Sequence, residues 1–174
     1  VLEQAYSGRV LCSEHMAKSV RKKIGRELRP QLKLPREGNT TIFVAISGGK
    51  DSAVLLDSIV DRVGNRPDVT IIAGTVDEGI EGYRPPSLLC AQELCERLGV
   101  EFITVSYPEL NFKEMDEVAE RIPSLSKENK NAPRMPCSYC GVFRRQGINH
   151  LAKKVGADYI ALGHNLDDMA QTVL

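Results

Sequence analysis

Six consecutive residues, Ser47-Gly48-Gly49-Lys50-Asp51-Ser52, are the densest chemistry in the chain. Two glycines can take φ > 0 and remove Cβ atoms where a ligand must approach the backbone. Thr41–Ile46 before them is a short apolar, β-rich run, and a helical pattern follows. A Gly-rich loop between such elements turns successive N–H groups towards an anion. Lys50 adds positive charge, and the Ser47 and Ser52 hydroxyls can donate. The chemistry that fits is phosphate binding. It is not a Walker A loop, which needs Gly where Val44 stands and Ser or Thr where Asp51 stands.

The cysteines lie at 12, 90, 95, 137 and 140. Cys137-Ser138-Tyr139-Cys140 can chelate zinc or an iron–sulfur cluster, or act as a redox pair. A thioredoxin-like reading would want that pair directly after a first strand. Two thiols alone do not complete a cluster. Cys12-Ser13-Glu14-His15 has the spacing of half a CxxC…CxxH zinc knuckle, and an incidental Cys and His is the plainer reading. Cys90 and Cys95 stand five apart on a helix, point to different faces, and read as core thiols. Asp167 and Asp168 open a late helix, where the dipole favours acids without any catalytic role. His150 has no partner that the pattern identifies.

These groups need a frame. Met16, Val20, Ile24 and Leu28 stand four apart, which predicts a helix over Glu14–Leu28 ended by Pro30 and Pro35. Strands are predicted at Thr41–Ile46, Val69–Val76, Val100–Val105 and Asp158–Leu162. Helices are predicted at Asp51–Val63, Pro85–Leu98, Pro108–Arg121 and Gly141–Val155, and from Asp167 onward. Pro123 to Pro136 reads as a long loop, with the cysteine pair just beyond it. Strands alternating with helices imply an α/β fold with a doubly wound parallel sheet. Ligands in such sheets bind at the carboxyl ends of the strands, where strand order reverses. The loops at 47–50, 77–82 and 163–168 lie at those ends.

The composition is that of a globular domain: 174 residues, 42% hydrophobic and 26% charged. A chain of this length can bury about 70% of its unfolded surface. No apolar run approaches the roughly 20 residues of a membrane helix, and no secretory signal pattern is present. Net charge is zero, which taken alone argues against a nucleic-acid partner. The average conceals a division. Residues 1–37 hold nine Lys/Arg against four acids, residues 57–120 five against fourteen, and residues 121–154 eight against one. Two basic blocks flank an acidic middle, either as solvated helix faces or as a surface for an anionic partner. Cysteines that look like ligands and not bridges suit a reducing cytosol.

Ser47–Ser52 resembles the PP-loop of ATP pyrophosphatases, which cleave ATP between the α and β phosphates and adenylate a substrate oxygen. Three further runs narrow the resemblance. They are Asp77-Glu78-Gly79-Ile80-Glu81-Gly82-Tyr83-Arg84, Cys137 to Arg145, and Gly163-His164-Asn165-Leu166-Asp167-Asp168-Met169-Ala170. In this order they resemble the cytoplasmic tRNA 2-thiolation family, the wobble-uridine thiolases of archaea and eukaryotes. The resemblance runs from Cys12 to Leu174.

The resemblance implies roles. Ser47, Gly48, Gly49, Lys50, Asp51 and Ser52 would hold the pyrophosphate part of ATP, with Asp51 facing Mg²⁺. Ala45 and Val76 would meet adenine, and Gly163 and His164 the ribose or α-phosphate. Asp168 would be the catalytic acid, with Arg144 and Lys50 stabilising charge on phosphate oxygens. Cys137 and Cys140 would be two of three ligands of a 4Fe-4S cluster with one open iron, the third lying past Leu174. Cys12 and His15 would be half of a Zn²⁺ site. The partners implied are tRNA, a ubiquitin-like sulfur carrier or other sulfide donor, and a second copy or paralogous subunit. The location implied is the cytoplasm, with no membrane.

The expected division is a partial zinc segment with a basic helix at residues 1–38, and a catalytic domain at 39–174. Val1 and an apparent helix still running at Leu174 suggest part of a longer chain. The rivals are a T-loop uridine or cytidine thiolase, a PP-loop amidotransferase or lysidine synthetase, and a silent tRNA- or ATP-binding subunit.

Overall fold

The computed structural model describes residues 1–4, 7–35 and 37–171. A short antiparallel hairpin, β1 (Leu2–Gln4) and β2 (Arg9–Leu11), opens the chain, and the pattern gave no hint of it. Helix α1 (Ser13–Gln31) follows. Then come β3 (Thr40–Ala45), α2 (Lys50–Val63), β4 (Val69–Asp77), α3 (Arg84–Leu98) and β5 (Glu101–Ser106). After a 3-10 turn at Pro108–Leu110 come α4 (Met115–Glu128), α5 (Pro136–Lys154), β6 (Tyr159–Leu162) and α6 (Leu166–Gln171).

Strands β5-β4-β3-β6 form one parallel sheet in that order. The apolar run Ile42-Phe43-Val44 is fully buried because β3 is central and helices cover both faces. Its side chains alternate between them. Ile42 and Val44 pack with Leu56, Ile59 and Val63 of α2 and Ala91 and Cys95 of α3, with Leu28 of α1 at the margin. Phe43 packs with Met115 and Val118 of α4 and Cys140, Leu151 and Ala152 of α5. Each fully buried Ile, Leu or Phe contributes about 1.5–3 kcal/mol. The doubly wound expectation holds. From β3 the chain winds outward to β4 and β5, then returns from β5 to place β6 on the other side of β3, so the reversal of strand order falls between β3 and β6.

Several expected boundaries are corrected. Pro30 lies inside α1, whose last turn still closes with Leu32 N–H donating to Leu28 O at 2.7 Å. The helix expected at Pro108 begins at Met115, because Asn111 takes a left-handed φ of 60° and closes the 3-10 turn. The loop expected from Pro123 is helical to Glu128. Met115, Val118 and Ile122 bury one face of α4, whereas Pro123 is exposed and its missing N–H costs less than that burial gains. Helix α5 begins at Pro136, a favoured first position, so the cysteine pair lies within the helix and not in a loop before it. The final helix is seen to Gln171, and its expected continuation to Leu174 lies outside the described residues.

Candidate functional site

The loop after β3 turns sharply at Gly48, whose φ is +82°. A Cβ there would stand 2.2 Å from the Ser87 carbonyl oxygen of α3, so only glycine lets loop and helix meet. The Ser52 hydroxyl closes the turn. It donates to Gly49 O at 3.0 Å and accepts from Ser47 N–H at 3.2 Å. Ser47 Oγ in turn accepts from Gly49 N–H at 3.3 Å. Helix α2 starts at Lys50 with Gly49 as its N-cap and no side-chain cap, which leaves first-turn N–H groups for a ligand. Across the strand reversal, Gly163 after β6 approaches this turn so closely that a Cβ would stand 2.9 Å from Ser52 Cα.

Between the two loops lies a cleft of about 230 Å³. It brings together Ala45, Ser47, Gly49, Asp51, Ser52, Val76, Arg144, Gly163 and His164 from the expected set. Gly48 and Lys50 line a separate depression on the other side of the turn, with Cys90 and Arg97. Lys50 Nζ pairs with Asp51 at 3.0 Å, and its side chain is 85% exposed. Asp168 does not line the cleft. It exchanges hydrogen bonds with Asn165 at the start of α6, at 2.8 and 3.0 Å.

The cleft also holds charges that pattern reasoning left without a role. Glu78, in the loop after β4, is buried between two arginines. Its Oε2 stands 2.7 Å from Arg84 Nε, and its Oε1 accepts from Arg144 Nε at 2.9 Å. Arg84 is as buried as Glu78 and donates to Thr75 Oγ1, to the Val76 carbonyl and, at 3.3 Å, to the Ser47 carbonyl. A buried carboxylate is tolerated only when paired and hydrogen-bonded, and this one has two cations. Both residues stand in the Asp77–Arg84 run that carried the resemblance. Nothing in their spacing shows that they are buried together.

Arg144 links the cleft to the cysteine helix. Its Nη2 donates to Cys140 Sγ at 3.2 Å, one turn back along α5. Burial works against the charge of Arg144, but Glu78, Cys140 and Tyr107 hold its pKa above the ordinary guanidinium value. Tyr107, fully buried, donates to the Cys140 carbonyl at 3.1 Å and lies 3.5 Å from its sulfur. Burial, then Cys140 and Glu78, push the Tyr107 phenol far up, so it stays a neutral donor. Cys140 is buried and Cys137 exposed.

Two soft thiolate donors a turn apart suit a cluster or zinc. Among the described residues, no group of three or more His, Cys, Asp or Glu completes such a site. Cys12 Sγ and His15 Nδ1 lie 2.9 Å apart on the exposed first turn of α1, two donors fit for zinc. The backbone and ring of His15 lower the Cys12 pKa. The expectation that Cys90 and Cys95 are both core thiols is corrected. Cys95 is fully buried, and burial pushes its thiol up to about 11. Cys90, on the other face of α3, is exposed.

The basic block of α1 gathers around a depression of about 510 Å³, lined by Arg21, Lys22, Lys23, Arg26 and Arg29, with Arg9 from β2 and Arg62 from α2. Arg21 pairs with Asp57 at 2.9 Å. No described helix is long and apolar enough to cross a membrane.

The chain is similar to known proteins. A family described as PP-loop domain matches residues 15–174. The chain is similar to the tRNA 2-thiolation protein NcsA of Haloferax volcanii, with 42% identity over 178 residues, covering 100% of this chain and 53% of that protein. Cytoplasmic tRNA 2-thiolation protein 1 of Caenorhabditis elegans is 38% identical over 136 residues, covering 76% of this chain and 34% of that one. Among solved structures, the U34-tRNA thiolase NcsA from Methanococcus maripaludis, with its 4Fe-4S cluster, superposes with a TM-score of 0.77 at 32% identity. That match covers 99% of this chain and 54% of that one. An NH3-dependent NAD synthetase from Campylobacter jejuni shares the fold alone, at TM-score 0.51 and 14% identity over 82% of this chain and 55% of that one. The chain spans about half the length of the archaeal relatives it matches.

Proposed function

Because this chain belongs to the PP-loop domain family, among the archaeal and eukaryotic tRNA 2-thiolation proteins, we propose that it is the ATP-binding half of a tRNA sulfurtransferase. The target is the O2 oxygen of a uridine, the wobble uridine by likeness to the M. maripaludis enzyme. One observation carries the reading: Arg144 lines the nucleotide cleft and donates to Cys140, so activation chemistry and sulfur chemistry share one guanidinium.

Replacing a uracil carbonyl oxygen with sulfur requires a better leaving group. The O2 oxygen attacks the α-phosphorus of ATP, forming the O–P bond while the bond to pyrophosphate breaks. Sulfide then attacks C2, and the C2–O bond breaks to release AMP. The first-turn N–H groups of α2 and the Ser47 and Ser52 hydroxyls bind the pyrophosphate. Arg144 faces the charge that develops on the phosphate oxygens. Ala45 and Val76 offer strand-end backbone to adenine, and Gly163 and His164 flank the ribose. Asp51 offers a carboxylate to Mg²⁺. Lys50 serves the phosphates once it leaves Asp51, and Asp168, which caps α6 outside the cleft, acts at the reacting oxygen once it leaves Asn165. Cys137 and Cys140 would hold two corners of a 4Fe-4S cluster, which when bound supplies an open iron to carry sulfide.

Residues 1–38 form the zinc-side segment, with Cys12 and His15 as two ligands, and 39–174 the catalytic domain. The tRNA backbone suits the basic face of α1. A sulfide donor and a second subunit complete the set, in the cytoplasm that the eukaryotic relatives' name gives. The test is product identity. Full-length protein given ATP and unmodified tRNA should release AMP and pyrophosphate only when tRNA is present. Release of ADP and phosphate would overturn the reading.

A further inference from the structure

We propose that Glu78 is a positioning residue for this reaction: it holds Arg144 between the nucleotide cleft and Cys140. The proposal rests on the functional reading above. Both carboxylate oxygens face guanidiniums: Oε1 accepts from Arg144 Nε, and Oε2 lies within ion-pair distance of Arg84 Nε without a hydrogen bond. The two arginines are held differently. Arg84, 5% exposed, is fixed from several sides by Ser47 O, Thr75 Oγ1, Val76 O and Ser87 Oγ. Arg144 is 51% exposed and comes from a different helix. Its partners are Glu78 and Cys140.

A guanidinium on a flexible stem loses rotamer freedom when it is fixed. The Nε bond to a buried, immobile carboxylate orients it so that Nη2 meets the sulfur. The Glu78 backbone is seated independently of Arg144, because the Glu78 carbonyl accepts from Met115 N–H at 2.9 Å and Asp77 caps Gly79 N–H at 3.0 Å.

Within the cluster one carboxylate stands between two guanidiniums, and Asp51 on the facing loop brings the charged lining of the cleft to balance. A pair built only for stability would be complete with Arg84. The second oxygen of Glu78 is spent on a half-exposed arginine that reaches the thiol. The resulting relay runs from the Ser47 carbonyl through Arg84, Glu78 and Arg144 to Cys140 Sγ.

Glu78→Gln weakens this contact, because an amide keeps one carbonyl acceptor and turns an NH2 donor towards the other guanidinium. The experiment compares full-length wild type, Glu78→Gln, Arg144→Lys and the double variant. In cluster-free protein, the Arg144 Nε–H resonance, assigned by its loss in Arg144→Lys, should exchange at least about tenfold faster in Glu78→Gln, while that of Arg84 stays protected. In cluster-loaded protein, Glu78→Gln should lower thiolation kcat by roughly 10–100-fold with KM for ATP within about threefold. The double variant should be no slower than Arg144→Lys alone, because Glu78 acts through Arg144.

Unchanged Arg144 exchange, a wild-type kcat in Glu78→Gln, or multiplying losses in the double variant would overturn the proposal. If Glu78→Gln fails to fold, Glu78→Asp decides. It keeps the buried charge for Arg84 but is one methylene shorter, and should free Arg144 with a smaller loss of kcat. An inactive wild type would count against the thiolase reading alone, since the exchange measurement judges Glu78 without turnover.

Discussion

Asn165 and Asp168 cap each other at the start of α6. Asn165 N–H donates to Asp168 Oδ2 at 2.8 Å, and Asp168 N–H donates to Asn165 Oδ1 at 3.0 Å. This reciprocal pair is a capping box and accounts structurally for an acid at that position. A catalytic role and a capping role separate by substitution. Asp168→Asn keeps an acceptor and should leave stability nearly unchanged, whereas Asp168→Ala should cost about 1 kcal/mol in denaturant unfolding. Both should reduce thiolation by roughly 100-fold or more while ATP still binds. Full activity in Asp168→Asn would leave Asp168 with the cap alone.

The phosphate turn should be intolerant of a single methyl group. Gly48→Ala must place a Cβ against the Ser87 carbonyl and hold alanine at φ +82°. The left-handed conformation alone costs about 1–2 kcal/mol, and the steric clash adds to it. The expected outcome is a lowered Tm together with loss of ATP binding by calorimetry. Wild-type ATP affinity in a folded Gly48→Ala protein would remove the turn from the nucleotide site.

Cys95 makes stability depend on alkaline pH. Burial raises its pKa from 9.0 to about 11 in the folded protein. The folded state therefore keeps a proton that the unfolded state loses first. The contribution is fully present below about pH 9 and disappears as pH approaches 11, on the order of 1–3 kcal/mol in all. Cys95→Ala adds a pH-independent packing loss. The stability difference between wild type and Cys95→Ala should thus shrink from pH 9 to 11, and a constant difference would contradict the burial argument.

The basic face of α1 should behave as a phosphate-backbone surface. Arg26 and Arg29 both line its depression. Reversing both to Glu in the full-length protein should weaken tRNA binding by at least about tenfold at low salt. It should also flatten the dependence of log K on log salt by about one unit for each phosphate no longer neutralised. Unchanged affinity would show that these charges are only a solvated helix face.

The phosphate turn was legible because its requirement is local: two glycines, a lysine and two hydroxyls between a strand and a helix. The doubly wound sheet followed from the alternation of apolar runs with helical periods. Helix ends are less legible. Pro30 and Pro123 look like breaks in the pattern, but Pro30 sits in the last turn of α1, and Pro123 lies on the exposed side of α4 while Met115, Val118 and Ile122 are buried. The β1–β2 hairpin leaves almost no period to detect, because its strands are three residues each.

Glu78 and Arg84, which join Arg144 in one cluster, were the largest omission in the site. The cluster's members lie on three elements, and only the folded sheet brings them together. Cys95 and Cys90 show the same limit: a spacing of five residues places them on different faces, but does not say on which side the core lies.

The most direct measurement of the central claim is position-mapped nucleoside mass spectrometry. Full-length protein with its cluster would be incubated without oxygen with ATP, Mg²⁺, sulfide and unmodified tRNA, beside the Arg144→Lys variant. The expected result is 2-thiouridine at the wobble position, one AMP released per sulfur inserted, and a large loss of both with Arg144→Lys. Sulfur at another position, or no sulfur while ATP is cleaved at the same rate in both proteins, would contradict it.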